Sequence, residues 1–246
     1  MSKIALVTGG SAGIGRNATL TLAKAGYTVV ATGRRQDALE ETANLADGTV
    51  DPIASDVTDE ASIDALFAAI QSNHGRLDVV FNNAGNNVDT TNFGDLTLQD
   101  WNTVIDVNLT GAFLIANRAY RMMRDQSPQG GRIINNGSIS AHVPRPGSAP
   151  YASSKHAITG LTRSISLDGR QHSISCGQID IGNAASDMTA KMGGGVPQAD
   201  GSMKPEPTMS VQHVGDAVLH MANLPLDANI LFMTVMSSAM PFVGRG

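Results

Sequence analysis

Tyr151 and Lys155 stand four residues apart in the run Tyr151-Ala152-Ser153-Ser154-Lys155. On a helix that spacing puts both side chains on one face, with about 5–6 Å between Cβ atoms. A phenol with a pKa of about 10 is a poor base on its own. An ammonium beside it favours the phenolate and lowers that value, so the pair can exchange a proton with an alcohol near neutral pH. A further hydroxyl, Ser138, lies thirteen residues upstream. A lone Tyr-x-x-x-Lys arises often by chance, so its meaning depends on the elements around it.

The N-terminal residues supply the second half. Lys3-Ile4-Ala5-Leu6-Val7-Thr8 is a short apolar run rich in β-formers, and it leads into Gly9-Gly10-Ser11-Ala12-Gly13-Ile14-Gly15. A helix-period stretch from Ile14 to Ala25 follows, closed by Gly26. Strand, glycine turn and helix in that order are the setting of a dinucleotide-binding fingerprint. Gly9 permits the tight turn, Gly13 lets backbone approach a pyrophosphate, and Gly15 allows close helix–strand packing. The helix N-terminus receives the negative charge. The spacing is Gly-x-x-x-Gly-x-Gly rather than Gly-x-Gly-x-x-Gly, and an ordinary glycine-rich turn is the alternative reading.

Composition narrows the class. A chain of 246 residues suffices for one sizeable core. A net charge of −5 argues against nucleic acid as a partner. Six histidines are scattered singly, without metal-ligand spacing, so no metal is expected. Cys176 is the only cysteine; it falls in an expected strand and reads as a buried, inert thiol in a reducing compartment. No run approaches the ~18–20 apolar residues of a membrane span, and no leader pattern precedes the first strand, so a cytoplasmic protein without a membrane partner is expected.

Strands are expected at 3–8, 28–32, 49–55, 78–83, 131–137, 173–180 and 229–236, and helices at 14–25, 36–45, 60–74, 98–125, 151–170 and 210–222. Such alternation predicts an α/β fold, a parallel sheet covered on both faces. No repeat or linker divides the chain, so residues 1–246 read as one domain. Only Gly182 to Pro207, rich in Gly, Pro and Met, fits neither pattern. Its position after the sixth strand suggests a substrate lid at about 182–207; an unstructured insertion is the alternative.

With these motifs in order, the chain resembles the short-chain dehydrogenase/reductase family, including its 3-oxoacyl-[acyl-carrier-protein] reductase-like members. The resemblance runs from Thr8-Gly9-Gly10-Ser11-Ala12-Gly13-Ile14-Gly15 to about Thr189, through Asp56-Val57, Asn82-Asn83-Ala84-Gly85, Asn108, Ser138 and Tyr151/Lys155. It implies a doubly wound Rossmann sheet of strand order 3-2-1-4-5-6-7. It also implies an oxidoreductase that moves a hydride between a nicotinamide cofactor and a small alcohol or carbonyl. In that scheme Tyr151 is the general acid/base and Ser138 bonds the carbonyl oxygen. Lys155 bonds the nicotinamide ribose and biases Tyr151, and Asn108 holds a water linking Lys155 to solvent. Gly9, Ser11, Gly13, Ile14 and Gly15 would cradle the cofactor, Asp56 and Val57 its adenine, and Asn83, Ala84 and Gly85 its ribose. Two other readings stay open: a non-catalytic NADP(H)-binding sensor, and a 3-oxoacyl thioester reductase.

Cofactor choice turns on the end of the second strand. Family members preferring NAD(H) carry an acid there; this chain has Gly33, then Arg34 and Arg35. No carboxylate would repel a 2′-phosphate and Arg34 can fork onto it, which favours NADP(H). Two departures stand out. After the sixth strand, Ile181-Gly182-Asn183-Ala184-Ala185-Ser186 replaces the usual Pro-Gly and threonine, leaving Gly182, Ala184 and Ser186 to meet the nicotinamide. The last strand ends in Ser237-Ser238-Ala239 rather than Asp-Gly-Gly. Candidate substrate-lining residues are His142, Val143, Arg145, Gln178, Asp180, Met188 and Met192.

Helices 98–125 and 151–170 are apolar on more than one face, through Trp101, Val104, Ile105, Leu109, Phe113 and Leu114 and through Ile158, Leu161 and Ile165. A helix of that kind must be covered on both sides. Proteins similar to this one bury the second side against another subunit, so a homo-oligomer is expected, at least a dimer and by resemblance a homotetramer.

Overall fold

The computed structural model describes residues 2–185 and 194–243. Its centre is a parallel sheet of β1 (Ile4–Thr8), β2 (Thr28–Gly33), β3 (Thr49–Ala54), β4 (Val79–Asn82), β5 (Gly131–Asn136), β6 (Ile174–Ile181) and β9 (Phe232–Val235). Two short antiparallel strands, β7 (Val196–Pro197) and β8 (Met203–Lys204), precede the last one. The sheet order is β3-β2-β1-β4-β5-β6-β9, the expected doubly wound order with β9 as the seventh strand. β1 and β6 are buried along their whole length, as a strand covered on both faces must be.

Helices α1 (Gly13–Lys24), α2 (Gln36–Asn44), α3 (Glu60–His74), α4 (Leu98–Ile105), α5 (Ala112–Asp125), α6 (Ala149–Asp168) and α7 (Val211–Asn223) alternate with the strands. On one face Ile63, Leu66, Phe67 and Ile70 of α3 pack with Ile115, Ala119 and Met123 of α5 over Leu6, Val80 and Ile133. On the other, Ala18 and Leu22 of α1 meet Val214, Val218 and Met221 of α7 over Ala5, Val7 and Phe81. The Asp59 carboxylate accepts from Ala61 N at 3.0 Å to start α3, and Gly75, at φ 70°, ends it.

Two expectations need correction. The run 98–125 is not one regular α-helix: a π-helical stretch, Asp106–Gly111, joins α4 to α5 and carries Asn108 near its middle. Wide turns of that kind gather at functional sites. At its end Gly111 packs so closely on Val57 that a Cβ would lie 2.7 Å from the Val57 carbonyl oxygen. The segment 182–207 is not wholly irregular either. Ala184 bridges Met209, and β7 and β8 pair through Val196 with Lys204 and Pro197 with Met203. Residues 186–193 lie outside the described residues, and with them Ser186, Met188 and Met192.

Candidate active site

The carboxyl ends of β1, β4, β5 and β6 meet at one edge of the sheet, where the glycine turn and the N-terminal half of α6 converge. In the turn, Gly9 and Gly13 hold φ of 69° and 52°, a region that favours glycine. A Cβ on Gly15 would sit 2.0 Å from the Gly9 carbonyl oxygen, so the α1 start must be bare there. No side chain caps α1 and no acid stands in its first turn. Ser11 and Ile14 fill the turn between these glycines. A glycine cradle below an uncapped helix N-terminus fits a pyrophosphate.

The neighbouring loops are tied to that cradle by side-chain-to-backbone hydrogen bonds. Thr8 Oγ1 accepts from Asn83 N and Ala84 N, both at 2.8 Å, and the Asn83 amide donates to the Thr8 carbonyl at 2.8 Å. Asn83 therefore acts first as a brace between β1 and β4. Its Oδ1 accepts from Asn136 Nδ2 at 2.8 Å, which brings in β5. Asp56 closes a turn, accepting from Thr58 N at 2.9 Å and Thr58 Oγ1 at 2.8 Å, and these bonds hold its carboxyl below the usual range. Val57 is buried.

At the end of β2, a Cβ on Gly33 would meet only Ser11 Oγ at 3.6 Å and Leu39 Cδ2 at 4.0 Å. Arg34 and Arg35 are exposed beside it.

The proton-handling residues converge as the spacing predicts. Tyr151 and Lys155 share a face of α6, with Lys155 Nζ 5.5 Å from the Tyr151 ring centroid. Ser138, beyond the end of β5, accepts from Ser140 N at 3.1 Å, and its hydroxyl hydrogen-bonds Tyr151. Lys155 Nζ donates to the Asn136 carbonyl at 2.7 Å. Burial lowers the Lys155 pKa to about 8, with the Asp180 charge acting in the opposite direction.

Tyr151 departs from expectation. Desolvation raises its pKa above the ordinary phenol value, more than Ser138 and Arg145 lower it. Lys155 points its proton donors at a backbone carbonyl, and the phenol keeps its proton.

Asn108 uses both amide atoms on one neighbour: Oδ1 accepts from Asn86 N at 2.8 Å and Nδ2 donates to Asn86 O at 2.9 Å. Gly85 lies beside it, where a Cβ would press on Asn108 Oδ1 at 3.3 Å. Beyond β6, Gly182 packs against Met236 and Met240, with room for no larger residue. Ala184 is buried.

Two of the expected substrate-lining residues are placed differently. Gln178 and Asp180 are fully buried, so they support the site from beneath and do not line it. Arg145 Nη2 reaches Asn183 Oδ1 at 2.9 Å and forms an ion pair with the buried Glu206. His142 stays half exposed. Asn136, Asn183 and Glu206 escaped the sequence reading, because a lone Asn or Glu carries no spacing signal.

Residues 3–195 match the family model described as short chain dehydrogenase. The chain belongs to the short-chain dehydrogenase family. It is 38% identical over 184 residues to a 3beta-hydroxysteroid dehydrogenase of Mediterraneibacter gnavus, covering 72% of this chain and 64% of that relative's length. The closed form of a serine dehydrogenase complexed with NADP+ superposes with a TM-score of 0.87 at 25% identity, over 99% of this chain and 98% of the other. A 3-ketoacyl-(acyl-carrier-protein) reductase from Brucella melitensis, complexed with NADH, shares the fold at a TM-score of 0.84 and 21% identity, over 96% and 98%. Membership makes the protein a dehydrogenase or reductase that uses a nicotinamide cofactor. Among the described residues no three His, Cys, Asp or Glu side chains gather as a metal site, and no helix is long and apolar enough to cross a membrane.

Proposed function

We propose that the protein is an NADP(H)-dependent oxidoreductase interconverting a small alcohol and its carbonyl. The observation that carries this reading is the convergence of Ser138, Tyr151 and Lys155 beside the glycine cradle. The nicotinamide, when bound, gives or takes the hydride. Every other act belongs to the chain. Ser138 holds the carbonyl oxygen by a hydrogen bond, and Tyr151 gives that oxygen a proton as it becomes an alkoxide. A phenol whose pKa is raised carries its proton at neutral pH, the form that reduction needs. Lys155, with a pKa of about 8, is cationic at neutral pH and bonds the ribose of the cofactor. Asn108 fixes the loop at Asn86 and orders the route by which Lys155 regains protons.

NADP(H) is preferred because the end of β2 offers a glycine and two exposed arginines in place of an acid. The whole chain works as one domain, with the segment around residues 182–207 closing over the substrate. The relatives named above include a hydroxysteroid dehydrogenase and a serine dehydrogenase, which supports an alcohol or its carbonyl as the substrate class and leaves its size open. The test is NADPH absorbance against a panel of ketones, and NADP+ against the matching alcohols. Tight NADPH binding with no turnover across the panel would leave a sensor as the better account.

A further inference from the structure

Asp180 is 1% exposed, yet it is a carboxylate on β6, one strand away from the end of β5 that leads into Ser138. Its two oxygens are used differently. Oδ1 accepts from Ser138 N at 3.1 Å and from Gln178 Nε2 at 2.7 Å. Oδ2 accepts from His142 Nε2 at 2.8 Å. One carboxylate thus grips both ends of the short turn Ile139–Ala141: Ser138 precedes it and His142 follows it. The packing is made for this group, since a Cβ on Gly137 would lie 2.0 Å from Asp180 Oδ1. Behind it a buried chain of hydrogen bonds runs across the sheet. Thr162 Oγ1 donates to Gln178 Oε1 at 3.2 Å and accepts from Asn135 Nδ2 at 2.9 Å, and Asn135 Oδ1 accepts from Asn82 Nδ2 at 3.1 Å. Fully satisfied networks of this kind fix the position of their members.

Ser138 and His142 differ in what they leave for a ligand. A carboxylate only accepts, so the His142 ring must carry a proton on Nε2. In the tautomer whose one ring proton sits there, Nδ1 is left as an acceptor. The side chain is 46% exposed and stacks edge-on to Phe242 with ring centroids 6.3 Å apart.

We propose that Asp180 is a positioning residue that sets Ser138 and His142 on one carboxylate, so that His142 accepts a hydrogen bond from a second hydroxyl of the substrate, on the carbon next to the one oxidised. The substrate class is then a vicinal diol, or the hydroxy ketone it yields. This assignment rests on the oxidoreductase reading above.

The test compares butane-2,3-diol with butan-2-ol as substrates with NADP+, in the wild type, His142→Ala and Asp180→Asn. The wild type should favour the diol about tenfold or more in kcat/KM, and His142→Ala should bring that ratio toward one, mainly through KM. In Asp180→Asn the oxygen stays toward Ser138 N and Gln178, so the amide nitrogen faces His142. Nε2 must then accept, and the proton moves to Nδ1. The diol preference should fall, because Nδ1–H can no longer accept from that hydroxyl, and kcat should fall by about threefold or more on both alcohols, because a neutral amide oxygen holds Ser138 N more weakly than the carboxylate does.

Imidazole nitrogen NMR of NADPH-bound protein reads the tautomer without turnover. The His142 signals, assigned by their loss in His142→Ala, should show Nε2–H in the wild type and Nδ1–H in Asp180→Asn. Equal use of diol and monool by the wild type, or a diol preference that survives His142→Ala, overturns the substrate class. An unchanged tautomer in Asp180→Asn overturns the positioning role. Failure of both alcohols with the NMR result intact counts against the oxidoreductase reading and leaves the Asp180–His142 unit standing.

Discussion

Lys155 Nζ donates to the carbonyl oxygen of Asn136 at 2.7 Å, and Asn136 in turn donates its side-chain amide to Asn83 Oδ1 at 2.8 Å. The lysine is therefore anchored to the strand end that Asn83 braces against Thr8 and the glycine turn. The cation of the proposed catalytic set and the proposed phosphate cradle share one rigid frame. Small errors in placing reacting groups are costly, so a frame of this kind has a direct catalytic use.

Tyr151→Phe keeps the ring and removes the proton. Turnover should fall by about 10²–10⁴, with NADPH affinity within a few-fold of wild type. Stopped-flow absorbance and a fluorescence titration measure the two quantities. Turnover near wild type would remove Tyr151 from the acid role.

Cofactor preference should reside at the end of β2. Arg34→Ala should weaken NADPH binding by about 10–100-fold and leave NADH nearly untouched. Gly33→Asp should swing preference to NADH, because an acid there accepts from a ribose 2′-hydroxyl and repels a 2′-phosphate. The backbone tolerates the change: the added Cβ would make only ordinary contacts with Ser11 and Leu39. If the wild type binds NADH more tightly, the reading of Gly33 and Arg34 fails.

Buried Lys155 should leave a signature in the pH dependence of stability. Its folded pKa, about 8, lies below its value of about 10.5 in an unfolded chain. The folded state therefore holds a costly charge below pH 8, and the unfolded state binds more protons between 8 and 10.5. Stability from this group rises with pH across that window and is level outside it. At about 1.4 kcal/mol per pH unit the full swing is on the order of 3 kcal/mol. Urea melts of wild type and Lys155→Met at several pH values should show their difference changing in that sense. A difference flat from pH 7 to 10.5 would refute it.

Cys176 should be unreactive in the folded protein. Burial pushes its pKa up to about 12, and no surface of it meets solvent. A thiol reagent at pH 7 should label it only after denaturant is added. Labelling at the unfolded rate without denaturant would contradict the packing.

The outer faces of α5 and α6 should bind a second copy of the chain. Phe113 is 47% exposed above a groove of about 300 Å³ that also includes Tyr120, Leu161 and Ile165. An apolar groove between two helices fits a two-fold interface. Light scattering should give a dimer or tetramer, and Phe113→Glu should shift it toward the 25.6 kDa chain. A wild-type mass at that value would end the proposal.

The sequence by itself determined what is local and periodic. Alternating apolar runs gave the seven strands of the parallel sheet, because period and turn residues follow from short-range geometry, whereas their order came from the family resemblance. The Tyr151/Lys155 face and the glycine turn were legible for the same reason, since each depends on fixed spacing along a single element. The sequence did not reveal the π-helical stretch at Asn108, which forms where the helix packs on Val57 and the Asn86 loop. Nor did it show that Gln178 and Asp180 are buried supports or that Arg145 is paired to Glu206. The raised Tyr151 pKa also needed the tertiary structure, since spacing alone predicts the opposite sign. These features depend on how far a charge lies from water and from partners distant in sequence. Only the folded chain fixes those distances, and with them the balance between desolvation and pairing.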